Sequence, residues 1–285
     1  HRDLHSFPTR RSSDLISAAF IKQFESEVHL KYQQEASLLR NMVRYKNNVR
    51  GSTARFQIIG KGDVSTKARH GEITPMGLDH SYVDVTLVDS YAGEYIDKLD
   101  ELKTNIDERS AVAKSEAYAM GRKTDEHIIN ALASATGTAI DASATGLTLA
   151  KVLEAFEKAN NAEMPDDGDR YAVVSPKAWN QLLLIDQFAR SDFVDDKPFM
   201  KGRMCKKWLG INWFMHTGLP TSNNSAVSTA FIWHKNAIGF ASGSDVKTEI
   251  NYIANRASNF VCSMMSQGAG LIDNDGVVKI SVKNS

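Results

Sequence analysis

From Ile106 to about Ala135 the chain contains no proline, and this stretch restricts the possible folds more than any other. Ala113, Ala117, Met120, Thr124, Ile128 and Leu132 recur at three- and four-residue intervals, which predicts one helix over about residues 105 to 135. Asn105-Ile-Asp-Glu108 resembles a capping box, with Asn105 taking a free amide and Glu108 reaching back. At 1.5 Å per residue the helix is roughly 45 Å long, two to three times the mean length, and too long for a small compact domain. Its apolar stripe is narrow and rich in small residues. That suits a helix laid along a sheet, with a close approach near Gly121. Apolar heptads are not sustained, so a coiled coil is excluded.

What precedes the helix is of another kind. Thr53 to Ile59 alternates, with Ala54, Phe56 and Ile58 on one face, and Ser81 to Asp89 alternates with Val83, Val85 and Leu87 on one face. The 21 residues between them, Gly60 to His80, hold five glycine or proline breakers and eight ionisable side chains. Hairpin loops usually have 2–5 residues, so this composition predicts a projecting, solvated arm. Lys61, Asp63, Lys67, Arg69, His70 and Glu72 are its candidate contact residues toward another subunit. Gly60-Lys61-Gly62 lacks the spacing of a phosphate-binding loop, and no helix pattern follows it. Farther upstream Ile16, Phe20, Phe24, Val28 and Tyr32, continued by Leu38, Leu39, Met42 and Val43, predict a helical arm to about Arg44. Its end collects Arg40, Arg44, Lys46 and Arg50, which suit the negative end of a helix dipole. That face reads either as solvated or as a contact with another chain or nucleic acid. His1 to Leu15 has no apolar core for a signal peptide and resembles translated sequencing-adapter sequence, so it is set outside the fold.

Beyond the helix, Thr136 to Gly146 reads as a linker. A helix from about Leu149 to Asn161, a turn at Pro165–Gly168 and a strand at Tyr171–Val174 follow. Ser175-Pro176 then opens a further helix to Leu184. Strands are predicted at Gly210–Met215 and Ala230–Trp233, with a short helix near Lys235 to Phe240. The tail alternates through Glu249–Ile253 and Asn259–Met265, turns at Asp273–Gly276 and closes on a strand at Val277–Val282. The whole is α+β.

Composition excludes the extremes. Thirty-four basic residues balance thirty-four acidic ones, which argues against a basic nucleic-acid coat or a polyanionic tail. Without residues 1–15 the balance is −1, because three arginines and two aspartates leave. With 42% hydrophobic and 24% charged residues, the 285-residue chain can bury a sizeable core. The two cysteines, Cys205 and Cys262, provide no disulfide framework or zinc motif. The longest uncharged run, Trp208 to His234, is broken by Pro220 and polar residues, so it reads as no membrane span.

No catalytic, cofactor or metal site is legible. HExxH and CxxC are absent, and Gly239-Phe-Ala-Ser-Gly243 resembles a nucleophile elbow with the wrong spacing. The acidic cluster Asp192, Asp195 and Asp196 reads as a solvated loop. Asp97, Asp100 and Glu101, interleaved with Lys98 and Lys103, read as a charged turn. Trp208, Trp213 and Trp233 read as core. What remains is architectural: arms that embrace neighbours add buried area to contacts that close into rings and cages.

Several ordered segments carry a resemblance. Phe20-Ile-Lys-Gln-Phe-Glu-Ser-Glu27, Gly51-Ser-Thr with Phe56-Gln57, Lys67-Ala-Arg-His-Gly71, Thr74-Pro-Met76, Asp97 to Arg109 and Gly121-Arg-Lys-Thr-Asp-Glu126 resemble major capsid proteins of tailed phages. The similarity runs from Ile16 to Ser285 and is to a podophage-like lineage with the Hong Kong 97-type capsid fold. The resemblance implies an N-terminal arm at 16–50, an extended loop at 51–91 and a peripheral domain at 92–146 built on the long helix as spine. An axial domain at 147–241 would follow, with residues 242–285 returning as strands to the peripheral domain. It also implies self-assembly into hexamers and pentamers of an icosahedral shell around double-stranded DNA, held by non-specific contact. A scaffolding protein and a portal would be partners, no cofactor or membrane would be involved, and assembly would take place in the bacterial cytoplasm. An encapsulin-like nanocompartment shell shares the fold. A hydrolase with an unrecognised site would need a clustered nucleophile and base.

Overall fold

The computed structural model describes residues 33–99, 107–137, 139–140, 145–189, 205–222 and 226–284. The predicted N-terminal helix lies largely outside them. Its last part, where described, is not α-helical: residues 33–39 are irregular, Arg40–Met42 is a single 3₁₀ turn, and Arg44–Lys46 is a strand, β1. Tertiary packing overrides the local period. Leu39, Met42 and Val43 are buried against the long helix, the amides of Leu38 and Leu39 donate to Asp125, and the Trp233 indole donates to the Met42 carbonyl. The basic residues serve strands rather than a helix end: Arg40 pairs with Asp245 at 2.7 Å, and Lys46 donates to the Arg55 carbonyl.

The long helix, α1, runs Glu108–Ser134, about 40 Å. Its cap is Asp107, which accepts from the Ser110 amide; Asn105 lies outside the described residues. Met120, Thr124, Ile128 and Leu132 are buried as the stripe predicts, whereas Ala113 and Ala117 are half-buried. The close approach at Gly121 comes from the Ala36 and Ser37 backbone rather than from the sheet. At the other end the Asn274 side chain accepts from the amides of Thr136 and Gly137, and Lys279 donates to the Ala133 carbonyl.

α1 lies along a four-stranded sheet ordered β1–β11–β12–β4, with β4 Val88–Asp97, β11 Ile238–Ile253 and β12 Ser258–Leu271. Mid-helix, Thr124 donates to the Gln267 side chain of β12 at 2.7 Å. The antiparallel β11–β12 hairpin is roughly 50 Å long and turns at Ala257, whose φ of 48° is left-handed. The short helix expected to reach Phe240 is only a 3₁₀ turn at Lys235–Ala237; Ile238 and Phe240 already belong to β11 because both are buried beneath α1.

A two-stranded ribbon pairs β2 Thr53–Ile59 with β3 His80–Thr86. The strand predicted over 81–89 breaks at Leu87, whose amide donates to Ser52 while β4 moves on to pair with β12. The crossing needs Gly268, where a Cβ would overlap the Thr86 carbonyl oxygen.

A seven-stranded sheet forms the second layer system, ordered β5–β13–β10–β6–β8–β7, with β9 beside β10. Its strands are β5 Ala139–Ile140, β6 Arg170–Val174, β7 Cys205–Trp208, β8 Ile211–Met215, β9 Thr221–Ser222, β10 Val227–His234 and β13 Val277–Lys283. α2 Leu149–Asn161 and α3 Pro176–Leu183 pack on it through Val152, Ala155, Ala178 and Leu182, with the short α4 Asp186–Ala189 following. Ser175 caps α3 by accepting from the Ala178 amide. Trp179, Phe188, Trp208 and Trp213 form a chain of aromatic contacts with centroids 5.2–6.0 Å apart. Trp208, Trp213 and Trp233 are all buried. The closing strand differs from expectation: β13 pairs with β10 and β5 in this sheet and does not return with β11 and β12. β11 also begins at Ile238, so residue 241 falls inside a strand and not at a boundary.

Candidate assembly surfaces

The 60–79 loop stands on a root that is well held. Ala54, Phe56 and Val85 are buried against Ala241 and Ile272. Arg55 clasps Asp84 across the ribbon at 2.8 and 2.9 Å and lies 3.7 Å over the Tyr82 ring. That pairing holds the Asp84 carboxyl below its usual range. Past Ile59 the ladder stops. One bond, Gly60 amide to Asp79 carbonyl at 2.8 Å, closes the base, and another, Gly71 amide to Ala68 carbonyl, closes a tip at which His70 is left-handed, φ 68°. Met76 and Leu78 crowd against Gly62, leaving no space for a side chain there.

Lys61, Asp63, Lys67, Arg69, His70 and Glu72 are all exposed. Lys61 turns back to its own subunit and pairs with Glu163 just after α2; the hydrogen bond raises the lysine pKa and lowers that of the carboxyl. Lys67 donates to the Gly71 carbonyl at 3.1 Å. No partner for Asp63, Arg69, His70 or Glu72 is present among the described residues. Sequence reasoning missed the loop's apolar side. Val64 is 92% and Ile73 76% exposed, and their signal was present as apolar residues stranded between breakers.

Two His–Asp pairs were also missed. Asp125, fully buried on α1, accepts from the Ser37 hydroxyl at 2.6 Å, from the amides of Leu38 and Leu39, and from the Gln34 side chain; His216 Nε2 lies 3.1 Å away. His216 Nδ1 accepts from the Gly218 amide, which puts the ring proton on Nε2 facing Asp125. The hydroxyl therefore bonds to the carboxylate and the imidazole keeps no free nitrogen, the reverse of a nucleophile–base arrangement. His234 is held likewise, between the Asn236 amide and Asp167. Among the described residues no group of three or more His, Cys, Asp or Glu is placed to hold a metal, and no helix is long and apolar enough to cross a membrane. Asp192, Asp195, Asp196, Asp100 and Glu101 lie outside the described residues, and Asp97 is exposed.

Among the described residues, a helix-on-sheet body with a projecting loop carries no catalytic constellation. Residues 16–284 match the family described as phage capsid protein. The chain belongs to that family. Its fold is similar to that of the cyanophage P-SCSP1u capsid (20% identity, 95% of each chain covered, TM-score 0.74). It is similar also to the head structure of Helicobacter pylori bacteriophage KHP40 (10%, 99% of this chain and 100% of that one, 0.77). A third similar structure is from Mycobacterium phage Che8 (17%, 92% and 97%, 0.71). No curated protein matches in sequence. The α+β fold is thus of the Hong Kong 97 type, and this phage capsid protein is a major capsid protein of a tailed bacteriophage, a structural protein and not an enzyme. It self-assembles into the icosahedral shell and belongs to the virion. Neither the family match nor these neighbours support a nanocompartment or a hydrolase.

Proposed function

We propose that this capsid protein closes its shell by laying the 60–79 loop over a neighbouring copy, with Lys61, Asp63, Lys67, Arg69, His70 and Glu72 at or near the contact. The observation that carries the reading is the exposure of Val64 and Ile73, 92% and 76%, on a loop whose root is fixed. Apolar side chains left in water on an anchored arm gain most from burial against a second chain. In this scheme residues 16–50 form a second arm, 51–91 the extended loop and 92–146 the peripheral domain. Residues 147 to about 237 form an axial domain that clusters at fivefold and sixfold centres, and β11 and β12 complete the peripheral strands. Near-neutral net charge suits a wall that holds double-stranded DNA by non-specific contact, since strong positive charge binds phosphate in a salt-sensitive way. A scaffolding protein and a portal act as partners during assembly in the bacterial cytoplasm. Replacing residues 62–77 by Asn-Gly tests the loop: a folded subunit that no longer forms particles by electron microscopy is expected. Normal shells from that variant refute the reading.

A further inference from the structure

The chain balances 34 basic against 34 acidic residues as a whole, but the balance fails locally. Residues 36–62 hold six basic residues and no acid, where the average of the chain would place about three acids. Three of the six are neutralised within the subunit: Arg40 by Asp245, Arg55 by Asp84 and Lys61 by Glu163. Arg44, Lys46 and Arg50 are exposed and have no carboxylate partner among the described residues.

The fold gathers these three. β1 is the terminal strand of its sheet, and the Val49 amide, donating to the Ser242 carbonyl at 3.1 Å, holds the chain beside β11 up to the residue before Arg50. Arg44 and Lys46, two residues apart on one face, stand roughly 7 Å from each other. Both lean toward β2, Arg44 over the Phe56 ring at 5.7 Å and Lys46 onto the Arg55 carbonyl at 3.3 Å. Tyr45 points to the opposite face and stacks on Phe240. The exposed neighbours in the chain are Asn47, Asn48, Ser52 and Thr53, all hydrogen-bonding and none apolar. Charge on an edge strand deters pairing with other strands, but either sign does that; a stretch of one sign attracts polyanions. We infer that Arg44, Lys46 and Arg50 form the patch by which the subunit touches the phosphate backbone of double-stranded DNA. Long cationic side chains among small hydrogen-bonding ones fit phosphate oxygens and read no bases. This rests on the reading of the shell as a wall around double-stranded DNA and says where on the subunit the contact falls. Few contacts per copy keep each one weak and salt-sensitive, which reconciles a DNA-binding surface with zero net charge.

The test titrates unassembled subunit onto a short fluorescent duplex of random sequence. With three phosphate contacts, native affinity is expected to fall roughly fortyfold between about 25 and 100 mM salt. A patch variant carrying Arg44→Gln, Lys46→Gln and Arg50→Gln is expected to bind at least roughly tenfold more weakly at the lower salt, with a flatter salt dependence and an unchanged urea midpoint. A control that removes the same charge elsewhere, Lys114→Gln with Lys177→Gln and Lys247→Gln, is expected to stay within about twofold of native. Duplex binding that survives in the patch variant, or that falls equally in the control, overturns the patch and leaves the DNA-wall reading standing. A native subunit that binds no duplex at low salt overturns both. A folded patch variant that no longer forms shells assigns these residues to a contact between copies. Tighter native binding to polyglutamate than to duplex assigns them to an acidic protein, and either result overturns the inference.

Discussion

Replacing Asp125 by asparagine should destabilise the subunit by about 2–4 kcal/mol, although the side chain barely changes in size. One carboxylate oxygen accepts from Ser37 and the Leu39 amide; the other accepts from Gln34, the Leu38 amide and His216. Asparagine turns one acceptor into a donor. In the less costly orientation its NH₂ faces Ser37, whose hydroxyl rotates to accept, but the Leu39 amide is left buried without a partner. That amide alone costs about 1–3 kcal/mol, and the surviving bonds lose the strengthening a charge gives them. The pH dependence carries a sign. Burial pushes the Asp125 carboxyl up, but the hydrogen bonds from His216, Ser37, Leu38 and Leu39 outweigh it, so the folded value lies below the ordinary one. Its contribution is therefore complete above the unfolded value of about 4 and is lost as pH falls through the lower folded value. Urea unfolding of unassembled native and Asp125→Asn subunits should show the full gap at pH 7 and a narrowing gap below about pH 4. Limited proteolysis should show earlier cleavage within residues 33–43. A gap under about 1 kcal/mol at pH 7, or one that is constant with pH, refutes the account.

Gly268→Ala forces a Cβ into the Thr86 carbonyl, where only backbone can yield, and should cost about 1–3 kcal/mol or more in urea unfolding. Leu132→Ala empties a fully buried site between α1 and its sheet and should cost about 2–5 kcal/mol by the same measurement. Glu163→Ala frees Lys61 and should raise amide exchange across residues 60–79 while the unfolding midpoint stays in place, since the pair is exposed. Ser37→Ala and His216→Ala share one carboxylate, so their double variant should depart from additivity by at least about 0.5 kcal/mol in a double-mutant cycle.

Local pattern revealed what local forces build. α1 was legible because a 3.6-residue period ran uninterrupted by proline. The projecting loop was legible because glycine, proline and charge interrupt two alternating strands. The β11–β12 hairpin was visible only in pieces. Gly239, Gly243, Gly268 and Gly270 break its alternation at places where β2, β3 or their flanking residues pass close by. Residues 33–43 misled for a related reason: Leu38, Leu39, Met42 and Val43 have helical spacing, but their geometry is set by a carboxylate more than eighty residues away. Glu116 gave no signal at all. A single acid on a helix reads as solvated, yet Glu116 is buried.

Asp125 on α1 gathers donors from two places: the 34–39 segment and the chain just after β8. α1 is tied besides to β12 through Thr124, and to the turn before β13 through Asn274. The entering chain, the four-stranded sheet and the seven-stranded sheet are thus all fastened to one helix of about 40 Å. The fastening also explains the polar character of the buried stripe. Leucine in place of Thr124 or Asp125 would bury as well, but would leave the Leu38 and Leu39 amides, the Gln267 side chain and the His216 ring each without a partner. The helix gives up apolar area at these positions and in exchange fixes where each attached piece of chain must sit.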